Sequence, residues 1–367
     1  MSFLGNFFKA KEKSVLGVDI GSSSLKVVQL RKEHGKAVLE TYGELALGPY
    51  GGSEVGQATN LTAEQITETL KDLLREAKVT TTSCGVSIPF ARSLLTLVTL
   101  PYRKDPQEQK TVIELEAHKY VPVPVSEVQL DWFIVPKAEP AQFSQEASSE
   151  KTEAPKTESV DVLLIAVHND ELSLLQNIVA GSGLAASFYE IEIFSTIRAV
   201  VDDPVRPVMV IDVGAASTKT YVVEHGVVAI SHAISVGSQD ITHAISVSKN
   251  VPISQAEALK KKSGFGSGEK LESFELVFSR IFAEVRRVLI QYETAHKKSV
   301  TSIVFTGGGG VTKELGLYAK NTFSIEVHIA DPFSKTEAPA FMHDVLKEIG
   351  PEFAVAVGLA LRKLEEV

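Results

Sequence analysis

The sequence predicts an α/β protein assembled from two copies of one design, each carrying an insert. Two stretches say so. "VLGVDIGSSSLKVVQL" (15–30) and "VMVIDVGAASTKTYVV" (208–223) each run an apolar strand into an Asp-x-Gly turn and leave it as a second strand. Each is followed by a hairpin, around Glu33-His34-Gly35 and around Glu224-His225-Gly226, that returns a third strand. A third observation is "VFTGGGGVTKEL", four glycines between an apolar strand and a helix expected to begin near Thr312.

Taken in order, the elements fit that plan. The N-terminal "MSFLGNFFKAKEK" lacks the long apolar core and small-residue cleavage site of a signal peptide. It reads as a frayed end packing a few aromatics, with a weak membrane-surface foot as the other reading. Leu61 to Val79 is a helix: Thr62 and Gln65 make a capping box, and Ile66, Leu70, Leu73, Leu74 and Ala77 share one face. An inserted block follows at about 84–168. In it "SCGVSIPFARSLLTLVTLP" is two strands about a Pro-Phe turn, "DPQEQKTVIELEAHKYVPVP" a helix stopped by prolines, and "EVQLDWFIVP" a strand. Lys137 to Ser159, almost without apolar residues, reads as a disordered loop, and Val160 resumes a strand. Helix, strand and helix then close a first half of residues 1–205. The second half, 206–367, holds a smaller insert at about 241–298, with helical "SQAEALKKKSG" and the long amphipathic "LESFELVFSRIFAEVRRVLIQYETA". Pro351 opens the last helix.

The totals narrow the function classes. With 37 Lys and Arg against 46 Asp and Glu, the formal charge of −9 argues against a general nucleic-acid surface. The single cysteine, Cys84, cannot form an internal disulfide, and no Cys/His spacing suits a metal, so a reducing compartment is expected. No apolar run reaches the roughly 18–20 residues of a membrane span, so the expected location is cytoplasmic.

The two corners carry the chemistry. A phosphate chain needs backbone N–H groups turned into a concavity, small side chains and nearby cations. "DIGSSSLK" offers Gly21, the hydroxyls of Ser22 and Ser23, and Lys26; "DVGAASTK" offers Gly214, Ser217, Thr218 and Lys219 at matching offsets. Asp19 and Asp212 would repel a bare phosphate, so they make sense as ligands, through water, of a Mg²⁺ shared with phosphate oxygens. Corners facing one another would clamp a triphosphate. At Gly307, Gly308 and Gly309 a bare backbone could lie against a nucleoside, with the helix dipole favouring it. Glu257 and Lys260 stand at i and i+3 on one helix face. They could hold a ribose and a purine edge, although such a pair alone is more often a solvated face. Asp131 in "QLDWFIV" is the one tempting carboxylate base for phosphoryl transfer, and it falls on the insert, away from the clamp.

Two phosphate corners and a glycine-rich nucleoside turn, in this order, resemble the actin-like ATPase superfamily. Within it the chain is most similar to the FtsA-like PilM family of type IV pilus assembly. "VSIPFARSLLTLVTLP", "IELEAHKYVPVPVSEVQLDWFIV", "IADPF" and "AVAVGLALR" add to that resemblance, which runs over nearly the whole length. It implies two ribonuclease-H-like halves with an FtsA-type subdomain in the first. It implies ATP or ADP with Mg²⁺ as ligands, with slow ATPase activity at most. It also implies partners: the cytoplasmic N-terminal segment of PilN, received beside the inserted subdomain near "AHKYVPVP", the PilN/PilO platform at the inner face of the cytoplasmic membrane, and pilus motor ATPases. Ser238 stands where relatives tend to show a second glycine, which puts contacts from that turn in question. A filament-forming or small-molecule kinase ATPase of the same superfamily is the alternative, though no sugar-pocket constellation is present.

Overall fold

The computed structural model describes residues 14–135, 159–266 and 272–366. The readings made of the N-terminal segment and of the loop from 137 to 158 lie outside the described residues; Ser159, expected to end that loop, opens a strand instead. The chain divides into two compact units, one of the residues up to Ala91 together with those from Leu172, the other Arg92–Glu171.

The first unit contains both halves. β1 (Ser14–Ile20), β2 (Ser24–Glu33) and β3 (Lys36–Ala46) make an antiparallel meander. His34 and Gly35 both have positive φ, 50° and 81°, the type I′ geometry that matches strand twist. α1 (Ala63–Glu76) carries the expected reciprocal cap, with Gln65 N–H donating to Thr62 Oγ1 and Thr62 N–H to Gln65 Oε1. Thr69, Leu70 and Leu73 are its buried residues. The chain then adds β4 (Ser83–Ile88) parallel to β1.

The second unit follows: β5 (Ser93–Pro101), α2 (Pro106–Ala117), β6 (Val128–Val135) and β7 (Ser159–His168), forming a sheet in the order β5-β7-β6. Val98, Leu100, Ile113, Ala117, Val162 and Leu164 are its core, with Leu130 and Trp132 against it. The insert expected from about residue 84 thus begins as a compact body at Arg92, because the intervening β4 pairs with β1.

α3 (Asn169–Gly181), β8 (Ala185–Ile191) and α4 (Glu192–Val200) complete the first half, whose sheet runs β3-β2-β1-β4-β8. The second half repeats the scheme. β9 (Val208–Val213), β10 (Thr218–Glu224) and β11 (Val227–Ile234) form the meander, with His225 and Gly226 at φ 51° and 76°. α5 (Ser238–Lys249), α6 (Ile253–Lys262) and α7 (Glu272–His296) follow as the second insert. β12 (Ser302–Thr306), α8 (Leu315–Phe323) and β13 (Glu326–Ile329) extend the sheet to β11-β10-β9-β12-β13, the same order as in the first half.

Two helix starts depart from expectation. α8 begins at Leu315 rather than near Thr312, because Lys313 bridges to Gly264 and Glu314 takes a left-handed φ of 59°. Pro351 sits in a 3-10 turn, Gly350–Phe353, ahead of the final helix. After α9 (His343–Ile349), α10 (Ala354–Glu365) returns to the first half and packs on β1 and α4. A Cβ on Gly17 would fall 1.9 Å from Ala356 O, and one on Gly358 1.9 Å from Ser195 O, so this seat requires two glycines. Glu190 locks it by accepting from both Arg198 and Arg362, and those partners hold its carboxyl below the usual range against the effect of burial. Among the described residues no helix is long and apolar enough to cross a membrane.

Candidate functional site

The corners are built alike. Gly21 N–H donates to Ser24 O at 3.1 Å and Gly214 N–H to Ser217 O at 3.0 Å. In each turn a Cβ on the glycine would lie 2.9 Å from that carbonyl oxygen, so the tight return demands glycine. The strand register then sets Asp19 opposite Lys26 and Asp212 opposite Lys219. Of the small residues expected to face phosphate, Ser22 is exposed, with Ser23, Gly214 and Ser217 half-buried at the turns. Thr218 is fully buried with its hydroxyl donating to Val236 O, so that side chain is not part of the site surface.

The two lysines point differently. Lys26 Nζ turns to Glu44 at 3.0 Å and Ser24 Oγ at 2.7 Å. Glu44 is the residue paired with Lys26 on β3. Lys219 Nζ turns back to Asp212 Oδ2 at 3.1 Å and reaches Glu192 Oε2 at 2.7 Å, while Glu192 Oε1 accepts from Phe90 N–H. Burial opposes the charge on Lys219, but Asp212 and Glu192 outweigh it and hold the ammonium protonated far above its ordinary range. Among the described residues the direct side-chain partner of Asp19 is the Ser87 hydroxyl, at 2.9 Å. Burial pushes its carboxyl up to about 6; Lys26, Lys219 and Ser87 moderate this and Glu192 adds to it.

The glycine turn rests on the second corner. Gly309 N–H donates to Val213 O at 2.8 Å and Gly307 N–H to Pro351 O at 2.9 Å. Gly307 has φ 79°, and a Cβ there would lie 2.3 Å from Asp212 Oδ1; on Gly309 it would lie 2.3 Å from Val213 Cγ1. Gly308 is open, its nearest neighbour being Glu352 at 3.9 Å. Burial and the nearby Glu44 push the Glu352 carboxyl up, against Lys26, Lys261 and Lys260.

Glu257 and Lys260 are not a solvated pair. Both are largely buried, 2.7 Å apart, and Glu257 also accepts from Thr242 Oγ1 at 2.7 Å. A segment running on from β3 ties them to the first corner. Leu47 N–H donates to Ser23 O, Thr59 N–H to Ser22 O and Ala58 N–H to Gln239 Oε1. Glu54 accepts from Ser254 N–H, and Gly56 lies directly against Glu257. Asp131 lies on β6, in the second unit, its Oδ1 accepting from Trp132 N–H. Sequence reasoning missed Glu44, Ser87, Glu192, Glu352 and this tethering segment. Counting the hairpin register back from His34-Gly35 would have set Gly43 opposite Lys26, because a bulge between Gln29 and Leu30 shifts the pairing by one residue to Glu44; Glu192, arriving from a distant helix, left no local signal.

The donor set can be tested against a magnesium ion. Asp19 fits: a half-buried carboxylate to which, among the described residues, no cation is bonded. Asp212 does not, since Lys219 holds one oxygen and Gly307 covers the other. Among the described residues no group of three or more His, Cys, Asp or Glu side chains converges as a metal cage. A cavity of about 350 Å³ lies elsewhere, lined by Asp202, Asp203, Glu326 and Asp331 with Arg206 and His328, a surplus of carboxylates that disfavours phosphate.

Comparison with known proteins agrees with the duplicated fold. The chain is similar to a solved structure described as a PilM-PilN type IV pilus biogenesis complex, with 24% identity, TM-score 0.77, and 95% of this chain and 98% of that one covered. It is similar to MreB 5 of Spiroplasma citri bound to AMPPNP, with 12% identity, TM-score 0.53, and 96% and 97% covered. It is also similar to the ethanolamine utilization protein EutJ from Carboxydothermus hydrogenoformans, with 13% identity, TM-score 0.51, and 95% and 89% covered. The fold is therefore actin-like. A family model for the type IV pilus assembly protein PilM matches residues 17–364, and the chain belongs to that family.

Proposed function

We propose that this chain is a nucleotide-holding adaptor of the type IV pilus assembly machinery. ATP or ADP lies between the corners, its phosphates toward Gly21, Ser22, Ser23, Lys26, Gly214, Ser217 and Lys219, its adenosine along Gly307, Gly308 and Gly309. Glu257 and Lys260 close the ribose side. The observation that carries the reading is the pair of glycine turns with identical closure and register, whose charged residues meet at Lys219, Glu192 and Asp19.

Asp19 would hold Mg²⁺ through water; the ion, when bound, neutralises phosphate charge. Lys26 must exchange Glu44 for a phosphate oxygen, and Lys219 offers its remaining N–H. Glu192 has both oxygens engaged, so it is poorly placed to activate water, and the nucleotide acts chiefly as a structural ligand that favours the closed form.

The chain would dock the cytoplasmic N-terminal segment of PilN, join the PilN/PilO platform at the inner face of the cytoplasmic membrane, and through it meet the pilus motor ATPases. The likeness to a structure of a PilM-PilN complex supports this partner. Calorimetric titration of the full chain with a PilN-type N-terminal peptide, with and without Mg-ATP, is the test. Saturable binding strengthened by nucleotide is expected; peptide that fails to bind in both conditions removes the adaptor role.

A further inference from the structure

The sequence treats the two aspartates as equivalent metal ligands, and the side-chain geometry separates them. Asp212 is 6% exposed, its Oδ2 in an ion pair with Lys219 at 3.1 Å and its Oδ1 under Gly307. The same ammonium reaches Glu192 at 2.7 Å. Lys219 therefore occupies the place between two carboxylates where a divalent ion would have to sit. On the other side Lys26 is drawn off by Glu44, and among the described residues Asp19 has no bonded cation.

The cause is legible in the strand pairing. The neighbour of Lys26 on β3 is Glu44, whereas the neighbour of Lys219 on β11 is Ala233. With alanine at 233, Lys219 turns to Asp212 and Glu192.

We propose that Lys219 is the built-in cation of the second corner: it takes the place of a metal at Asp212, so that Asp19 alone makes phosphate binding respond to a divalent ion. This rests on the nucleotide reading above. The nucleotide's terminal phosphates would meet a fixed ammonium on one side and an exchangeable hydrated ion on the other. Lys219 is a positioning residue in this arrangement, since it also keeps Glu192 and Asp212 in place.

The test is binding rather than turnover. The affinity of the full chain for a non-hydrolysable ATP analogue is measured by calorimetry in Mg²⁺ and again in EDTA, for the unsubstituted chain, Asp19→Asn and Asp212→Asn. The unsubstituted chain is expected to bind about tenfold more tightly in Mg²⁺, the worth of one charge-assisted contact. Asp19→Asn should flatten that ratio to near one, and Asp212→Asn should leave it standing. Equal flattening by both substitutions overturns the inference, as does an unsubstituted chain indifferent to Mg²⁺. No binding of the analogue under any condition overturns the nucleotide reading instead, which is a distinguishable result. Should Asp212→Asn lose its fold by circular dichroism, Ala233→Glu decides. Position 233 is exposed. A carboxylate there is expected to draw Lys219 off and enlarge the Mg²⁺ ratio, and an unchanged ratio counts against the proposal.

Discussion

The first and second corners share turn, register and strand order, yet one leaves its aspartate bare and the other neutralises it. In the first, Lys26 goes to Glu44 and Asp19 is left with a hydroxyl. In the second, Lys219 folds back on Asp212 and picks up Glu192. A parallel difference lies one strand over: Ser87 donates to Asp19, while Thr306 donates to Pro351 O. Duplication thus preserved the backbone that makes a phosphate-sized turn, and third-strand residues redistributed the charge. Backbone geometry is fixed by glycine and pairing; where a flexible lysine points is decided by what faces it.

The comparison breaks most visibly at Lys219. Lys219→Met leaves Asp212 and Glu192 buried without their cation, and a loss of about 3–5 kcal/mol in urea unfolding is expected. A loss no larger than that of an exposed ion pair would show that the two corners are not electrostatically different.

Asp19→Asn should do the reverse. Burial pushes the folded carboxyl up to about 6 from its ordinary 3.8, so the folded state holds the extra proton between those pH values. Stability is accordingly lost as pH rises through that window, by about 3 kcal/mol when complete. Burial is the main cause of the rise; Lys26, Lys219 and Ser87 oppose it and Glu192 adds to it. The substitution should stabilise the nucleotide-free chain at pH 7.5 and bring little at pH 4. Equal gains at both would mean that charge is not the cause.

The glycine turn gives a third, smaller contrast. Gly307→Ala places a Cβ against Asp212 Oδ1 at a left-handed φ, and about 2–3 kcal/mol should be lost. Gly308→Ala meets nothing nearer than Glu352 and should stay within about 0.5 kcal/mol by the same denaturation. It should weaken nucleotide binding all the same, because its open face is where a nucleoside would lie. Unaltered affinity would move the nucleoside elsewhere.

The smallest effect sharpens the explanation itself. Glu44→Ala frees Lys26 to turn towards Asp19, making the first corner resemble the second. The stability change between pH 4 and 6 should shrink by about 1 kcal/mol. If it does not, the partner on the third strand does not direct the lysine.

Much of this was legible in the sequence. Strand-turn-strand-hairpin repetition exposed the duplicated halves, and the Thr62 and Gln65 pair fixed a helix end by local chemistry. The glycines at 21, 214 and 307 were readable because each answers a backbone constraint. Contacts between distant segments were not readable. Glu192 reaches Lys219 from another half, Lys313 pairs with Gly264 and delays α8, and the last helix leaves its sequence neighbours to pack on Gly17. Thr218 looked like a phosphate ligand because its type fits, yet strand alternation turns it inward.

If both corners grip one purine nucleotide, calorimetric titration of the full chain with Mg-ATP will register it. One saturable site per chain, weakened by Asp19→Asn, is the expected result. Heats indistinguishable from dilution would contradict it.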